Sequence, residues 1–302
     1  MNIATAARQP CPAPSSVATA GYWALTKPEI NFLIAIVTFA GFYLGLPPEL
    51  HRFPFLLLIH TILGTLLVSS GASALNQFIE RSFDARMRRT ARRPLAAEKL
   101  EPASALRFGL LLSFTGTIYL ALAVNVLASL LAAVTLVSYL ALYTPLKRKT
   151  PWCTVAGAFS GAMPPLIGWA AASGRLSSEA WVLYVILLLW QFPHFMAIAW
   201  MYRDDYNRAG YRVLPMAERR CAFVNWMTVL PLLILIPLTL FPEFSGHAHV
   251  IYTFGVLFAG SVFLYHGCVL ALQKSNQNAR RLLLASVAYL PVVFALLITR
   301  SR

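Results

Sequence analysis

Long apolar runs follow one another along almost the whole chain, and they constrain its fold more than any other feature. A helix needs about 20 mostly apolar residues to cross the hydrocarbon core of a bilayer. Nine stretches meet this requirement: 29–46, 53–78, 104–123, 126–145, 152–173, 180–201, 222–241, 248–272 and 281–299. We therefore predict an all-α polytopic membrane bundle of about nine helices, with Val124-Asn125 marking the turn between the third and fourth.

The low charge content supports a membrane protein. Only 12% of the 302 residues are charged and the mean hydropathy is +0.65, whereas soluble domains carry about 25% charged residues. No soluble domain remains outside the spans, so residues 29–302 are expected to form one transmembrane domain. The segment 1–28 is rich in Ala, Pro, Ser and Thr and has no apolar core of signal-peptide length. It is predicted to be a disordered cytoplasmic tail.

The net charge of +14 would suit a nucleic-acid binder, but the positions of the cations argue against that function. Most of the 25 Lys and Arg residues lie in alternate loops. This asymmetry is typical of membrane proteins whose positive loops stay inside. It predicts a cytoplasmic amino terminus and an outer carboxyl terminus. The short amino-terminal segment favours a bacterial inner membrane over a mitochondrial one.

The stretch NQFIERSFDARMRRTARRPL, residues 76–95, combines acids and arginines directly after an apolar run. Asn76, Glu80 and Asp84 are spaced by four residues, and each such step turns a helix by only about 40°. The like charges repel on one face, so a hard cation such as Mg²⁺, which prefers oxygen ligands, is expected there. The arginines that follow would then suit a multiply charged phosphate such as a diphosphate, because guanidinium groups match phosphate oxygens. The alternative is a positive loop whose acids only pair with its arginines.

Two further loops repeat this pattern. YRDDYNRAGYRVLP, residues 202–215, carries Asp204 and Asp205, and YTPLKRKT, residues 143–150, carries Lys147 and Arg148. Two acidic loops on one face of a bundle could hold a diphosphate through more than one Mg²⁺, and lysine is a good phosphate binder. The cations of residues 143–150 could equally well serve only to fix the orientation of the chain in the membrane.

Together these loops resemble the UbiA superfamily of intramembrane prenyltransferases, most closely its heme O synthase branch. Residues 76–95 and 202–215 are similar to the two acid-rich motifs of that family. YTPLKRKTPW, GAMPPLIGWAAASG and QFPHFMAIAW also match the branch, and the likeness covers nearly all of residues 20–300. Cys153 and the tripeptide Tyr211-Arg212-Val213 depart from its pattern, at positions expected to be peripheral to the acids.

The resemblance implies a reaction between farnesyl diphosphate and heme b, assisted by Mg²⁺, in which a farnesyl chain joins a heme vinyl group and water adds. Heme O and diphosphate would be the products. A partner that consumes heme O, such as a heme A synthase or an oxidase assembly factor, is compatible with this reaction. The expected catalytic residues are Asn76, Glu80, Asp84, Asp204, Asp205 and Lys147, of which all but Lys147 are expected metal ligands. The expected diphosphate-binding residues are Arg88, Arg93, Lys147, Arg148, Arg203 and Tyr143.

A histidine inside the sixth span is the candidate for heme binding. His194 lies in QFPHF, and a polar ring at membrane depth indicates a function by default. It could bind the heme iron or a propionate, or it could be a packing residue. His60 and His266 are weaker candidates within spans, and His247 and His249 are predicted to be solvated loop residues.

Two other functions remain open at this point. A UbiA-type enzyme could attach a polyprenyl chain to an aromatic acid such as 4-hydroxybenzoate, although Glu80 and the Pro-His-Phe sequence argue against it. A transporter of porphyrin or anionic lipid would explain the basic loops and a kinked fifth span. Such transporters carry binding groups near the bilayer midplane and internal repeats, and the sequence has no carboxylate deep in a span.

Overall fold

The computed structural model describes residues 15–240 and 250–300, and within these ranges the chain is helical and contains no strand. Eight helical segments are long and apolar enough to cross a membrane, and a bent pair makes a ninth, as predicted. The predicted span ends at 241 and 248, and also His247 and His249, lie outside the described residues. The helices are α1 (Ser15–Thr26), α2 (Pro28–Leu44), α3 (Phe55–Asp84), α4 (Pro102–Ala123), α5 (Val126–Val137), α6 (Thr144–Leu146), α7 (Cys153–Gly161), α8 (Pro164–Ser173), α9 (Ser178–Met201), α10 (Arg203–Ala209), α11 (Ala217–Thr239), α12 (Val250–Leu272) and α13 (Asn276–Arg300).

The first span is broken near its start. The prediction of a disordered tail over 1–28 is wrong for Ser15–Thr26, which form α1, while residues 1–14 lie outside the described ranges. Lys27 separates α1 from α2 with a left-handed φ of 51°, and the two helices are bent by 42°. The following Pro28 explains the break, because a proline disfavours the helical conformation of the residue before it.

The turn between the third and fourth spans lies where the sequence placed it. Asn125 caps α5 by accepting a hydrogen bond on Oδ1 from the Ala128 N–H at 2.8 Å. Its Nδ2 donates to the Ala170 carbonyl oxygen at 2.8 Å. One asparagine therefore begins α5 and anchors its start to α8.

The fifth span is interrupted and closely packed, and its glycines and prolines explain both features. It consists of α7 and α8, with Pro164 and Pro165 opening the second half. A Cβ atom on Gly168 would lie 2.0 Å from the Thr38 carbonyl oxygen, and one on Gly41 would lie 2.1 Å from the Pro165 carbonyl oxygen. Only glycine permits this approach between α2 and α8, which is how small residues act in membrane bundles.

The buried helices form the centre of the bundle and the walls of its cavity. The α7–α8 pair and α9 are mostly buried, whereas most of the other spans turn the larger part of their surface outwards. Between α5 and α6, a π-helical turn over Ser138–Tyr143 brings Tyr139 and Tyr143 to the cavity. Such turns insert one extra residue and often occur at functional sites.

Candidate functional site

A cavity of about 600 Å³ lies inside the bundle, within the usual range for ligand pockets of about 300–1,000 Å³. Its charged residues come from the ends of helices and the adjoining loops, and its apolar wall comes from the middles of the spans. The apolar wall includes Val37, Val68, Leu187, Ile198 and Leu290. The main polar lining residues are Lys27, Asn76, Glu80, Asp84, Arg89, Arg93, Tyr139, Tyr143, Lys147, Gln191, His194, Tyr206 and Tyr211.

The first acid motif lies on one helix and faces this cavity. Helix α3 continues six residues beyond its predicted end at 78, so Asn76, Glu80 and Asp84 occupy three successive turns of the same face. All three are buried, at 1%, 3% and 1% exposure. Buried carboxylates require compensating partners, and two cations supply them.

Lys147 compensates Glu80. Its Nζ donates to both Glu80 carboxylate oxygens at 3.0 Å and lies 4.4 Å from the centre of the Tyr143 ring. Burial disfavours the charge of Lys147, but the attraction of the Glu80 carboxylate outweighs it and raises the pKa of the lysine. The pair is therefore ionised inside the cavity.

Asp84 is only half satisfied. Its Oδ2 accepts a hydrogen bond from Arg93 at 2.8 Å, whereas Oδ1 has no hydrogen-bond partner within the described part of the chain. The buried Tyr211 hydroxyl lies near the Glu80 carboxylate but does not meet the geometry of an ordinary hydrogen bond there. Buried polar atoms without partners are rare in native proteins and indicate an absent ligand or water. Asp84 and Tyr211 both line the cavity.

The prediction that Cys153 and Tyr211 are peripheral to the acids is wrong. Both residues line the cavity. Burial, and then the negative charges of Glu80 and Asp84, raise the pKa of Tyr211 well above its ordinary value. The Tyr211 hydroxyl is therefore protonated and can donate to an anion bound beside these carboxylates.

These residues fit a magnesium ion that shares its ligands with a substrate. Mg²⁺ is usually held by one or two carboxylates together with substrate phosphates and waters. Glu80, Asp84 and Asn76 offer two carboxylates and an amide oxygen on one face, and Asp84 has one oxygen to spare. Among residues 15–240 and 250–300, no three His, Cys, Asp or Glu side chains form a metal-binding group by themselves.

The second acid pair lies beside the cavity instead of within it. Asp204, Asp205 and Arg88 line an adjoining pocket of about 450 Å³. Asp205 accepts hydrogen bonds from the Arg89 backbone N–H at 3.2 Å and from Arg208 at 3.1 Å, while Asp204 is exposed. Asp204 and Asp205 line this adjoining pocket and not the main cavity. Arg89 lines both pockets and connects them.

Two predicted diphosphate-binding arginines point elsewhere. The Arg148 guanidinium lies 3.9 Å from the centre of the Phe83 ring and donates to the Ile79 carbonyl oxygen. Arg203 donates to the Trp200 carbonyl oxygen and to Asn276. Neither side chain lines the cavity, whereas those of Arg93 and Lys147 do.

Sequence reasoning missed Lys27 and Arg89 as site residues. Lys27 counts in the sequence as a cation of the tail, yet the break between α1 and α2 places it on the cavity wall. The sequence feature that could have revealed this break is the dipeptide Lys27-Pro28, because proline disfavours helix at the residue before it. Arg89 could not be told from Arg88 by spacing, since both follow the end of the helix.

His194 lines the cavity, and its neighbours determine its tautomer. The Ser286 hydroxyl donates its one hydrogen to the Leu283 carbonyl oxygen at 2.6 Å, so its oxygen must accept from His194 Nδ1 at 2.8 Å. Trp190 stacks on the imidazole with ring centres 4.7 Å apart. A neutral ring with its proton on Nδ1 leaves a lone pair on Nε2, as in metal-binding histidines. His60 instead pairs with Tyr119 at 2.6 Å, away from the cavity.

Comparison with known sequences places these features in a family context. Residues 33–290 match the profile described as the UbiA prenyltransferase family. A protein named protoheme IX farnesyltransferase from Solibacter usitatus (strain Ellin6076) is 47% identical over 283 residues, covering 92% of this chain and 97% of that protein. A protein of the same name from Koribacter versatilis (strain Ellin345) is 42% identical, covering 91% of each.

Solved structures share the fold at lower identity. A digeranylgeranylglyceryl phosphate synthase has a TM-score of 0.74 and 16% identity, covering 94% of this chain and 98% of its own. A UbiA homolog from Archaeoglobus fulgidus, bound to GPP and Mg²⁺, has a TM-score of 0.58 and 12% identity, covering 92% and 99%. These likenesses establish the architecture of the bundle.

Proposed function

This chain belongs to the UbiA prenyltransferase family, and we propose that it transfers the farnesyl group of farnesyl diphosphate to a vinyl group of protoheme IX (heme b). Water adds in the same reaction, and the products are heme O and diphosphate. The names of its relatives support this substrate pair. The observation that carries it is one cavity that joins a buried cation–carboxylate cluster to a histidine with a free Nε2.

The diphosphate binds at the charged end of the cavity. Lys147 and Arg93 supply positive charge, and protonated Tyr211 supplies a hydroxyl donor. Charge develops on the diphosphate as the bond to the farnesyl carbon breaks, and fixed donors in a site closed to bulk water stabilise such charge strongly. The farnesyl chain lies along the apolar wall, which limits capture of the allylic cation by bulk water.

Glu80, Asp84 and Asn76 would hold Mg²⁺ beside this diphosphate. When bound, the ion supplies Lewis-acid withdrawal of charge from the leaving group. The GPP and Mg²⁺ bound to the Archaeoglobus homolog support this assignment by analogy of fold. Asp204 and Asp205, in the adjoining pocket, remain candidate ligands for a second ion.

His194 binds the heme. Its Nε2 lone pair is suited to the heme iron, and the bond from Nδ1 to Ser286 fixes the ring as outer partners of metal ligands do. The heme thereby lies on the α9–α13 side of the cavity. We also propose a bacterial inner membrane as the location, with the amino terminus and the charged end of the cavity on the cytoplasmic side.

The test uses purified protein with heme b, farnesyl diphosphate and Mg²⁺, followed by mass spectrometry of the extracted heme. A heme that carries one farnesyl group and one added water supports the proposal. Prenylation of 4-hydroxybenzoate with unchanged heme would overturn the heme assignment and keep the family chemistry. A folded preparation that modifies neither acceptor would overturn both.

Replacing His194 should weaken heme binding. We expect His194→Ala to lower heme affinity by at least about tenfold, and Ser286→Ala to lower it by about tenfold, because outer partners of metal ligands typically contribute that much. Titration followed by heme absorbance measures both affinities. His60→Ala is the matched control, since that histidine lies away from the cavity. Wild-type affinity in His194→Ala would contradict the role of His194.

Arg93 and Arg203 are both predicted from the sequence to bind diphosphate, but their replacement should affect activity differently. Arg93→Gln removes a cation from the cavity and from Asp84, so we expect kcat/KM for farnesyl diphosphate to fall by about a hundredfold, as for loss of one transition-state donor. Arg203→Gln removes only peripheral contacts and should change it less than about threefold. Equal losses in steady-state assays would contradict this division.

A further inference from the structure

Gln191 carries a side-chain amide that the chemistry described above does not use. It lies in the middle of α9 and is buried at 4% exposure. Both of its amide hydrogens are engaged, because Nε2 donates to the Ala158 carbonyl oxygen at 3.2 Å and to the Leu187 carbonyl oxygen at 3.1 Å. The orientation of the amide is therefore fixed, and Oε1 points away from both carbonyls.

Oε1 is left as an acceptor on the cavity side. Gln191 lines the cavity, and no donor within the described residues reaches this oxygen. It occupies space that a side chain at the facing position would fill, because a Cβ atom on Gly161 would lie 2.1 Å from Oε1. An amide oxygen can accept two hydrogen bonds, and none of the described hydrogen bonds of this cavity-lining residue uses Oε1, so a ligand or water is expected to donate to it.

The position of Gln191 along the bundle places it close to where the reaction would take place. On α7, a Cβ atom on Gly157 would lie 2.8 Å from the Tyr143 ring, and Gly161 is four residues further along the helix. Four residues of helix rise about 6 Å. Gln191 therefore lies about one helical turn beyond the pair of Tyr143 and Lys147 where the diphosphate binds. The farnesyl C1 atom and the heme vinyl carbons would occupy this interval.

We propose that Gln191 Oε1 holds the water that adds to the prenylated vinyl group, an inference that rests on the proposed function. The C1–O bond of farnesyl diphosphate breaks as C1 bonds to the terminal vinyl carbon, which uses the π electron pair. The adjacent vinyl carbon is left as a cation. The water oxygen gives an electron pair to that carbon, and the extra proton passes to an oxygen of the released diphosphate nearby. Heme b, farnesyl diphosphate and water thus become heme O and protonated diphosphate.

The product distinguishes this role from simple packing. Without a positioned water, the cation loses a proton from the neighbouring carbon and gives an olefin that is lighter by one water. For Gln191→Leu we expect the ratio of hydrated to olefinic farnesyl heme to fall by about tenfold, the value of one hydrogen bond of about 1.4 kcal/mol. Gly161→Ala should lower the ratio as well, because its methyl group would displace Oε1.

The experiment analyses extracted heme by mass spectrometry after reaction in water labelled with heavy oxygen. Gln77→Leu is the matched control: Gln77 is buried, donates to the Leu25 carbonyl oxygen and has an Oε1 without a described partner, but it lies outside the cavity lining. Its product ratio should not change. An unchanged ratio in Gln191→Leu would overturn the inference. If that variant does not fold, an unchanged ratio in Gly161→Ala would overturn it. Failure of the proposed function looks different, because the wild-type protein would then form no farnesyl heme.

Discussion

Asp84→Asn is expected to lower kcat by at least about a thousandfold while the protein still inserts and folds. The substitution keeps the shape of the side chain and an oxygen that can accept the bond from Arg93. It removes the negative charge and with it the carboxylate oxygen Oδ1, which has no hydrogen-bond partner within the described residues, from a side chain that lines the cavity. A metal ligand and its ion contribute several kcal/mol to the stabilisation of a leaving group, and about 4 kcal/mol corresponds to a thousandfold change in rate.

Steady-state farnesyl transfer at increasing Mg²⁺ concentration tests this role. The Mg²⁺ concentration that gives half of the maximal rate should rise in Asp84→Asn, because a metal ligand has been lost. Glu101→Gln is the control, since Glu101 is exposed at the start of α4 in the same loop region. We expect its rate to stay within about twofold of wild type. A near-normal rate in Asp84→Asn would mean that this carboxylate holds no metal.

The features of the site that could be predicted from sequence are local. Asn76, Glu80 and Asp84 face one way because a helix repeats every 3.6 residues, and that holds wherever the helix packs. The spans follow from the length of apolar runs, and the fifth span was recognisable because glycine and proline mark close packing. These inferences do not depend on how distant parts of the chain meet.

What could not be predicted depends on tertiary placement. In the sequence, Asp204 and Asp205 lie next to arginines, as Glu80 and Asp84 do. The helical conformation breaks at Tyr202, however, and the short helix α10 that follows places Asp204 and Asp205 in the adjoining pocket. Lys27 enters the cavity only because its left-handed φ redirects the chain. Tyr211 reaches the acids because the Arg212 N–H bonds the Lys147 carbonyl oxygen at 2.7 Å, a contact between loops that spacing cannot reveal.

Lys147→Met should damage both the fold and the reaction, and a second substitution separates the two effects. Alone, it leaves the buried Glu80 carboxylate without its partner, which typically costs about 3–5 kcal/mol of stability. Glu80→Gln/Lys147→Met removes both charges and should recover most of the thermal stability, measured by the unfolding temperature in detergent.

The double variant Glu80→Gln/Lys147→Met should remain slow even though its stability recovers. If Lys147 stabilises the charge on the leaving diphosphate, the double variant must remain at least about a hundredfold slower than Glu80→Gln alone, because one cation contributes that much to such a transition state. Lys147→Arg, which keeps the charge, should lose less activity than Lys147→Met. If the double variant instead turned over as fast as Glu80→Gln, Lys147 would serve only to neutralise Glu80. The diphosphate would then depend on Arg93 and the bound metal.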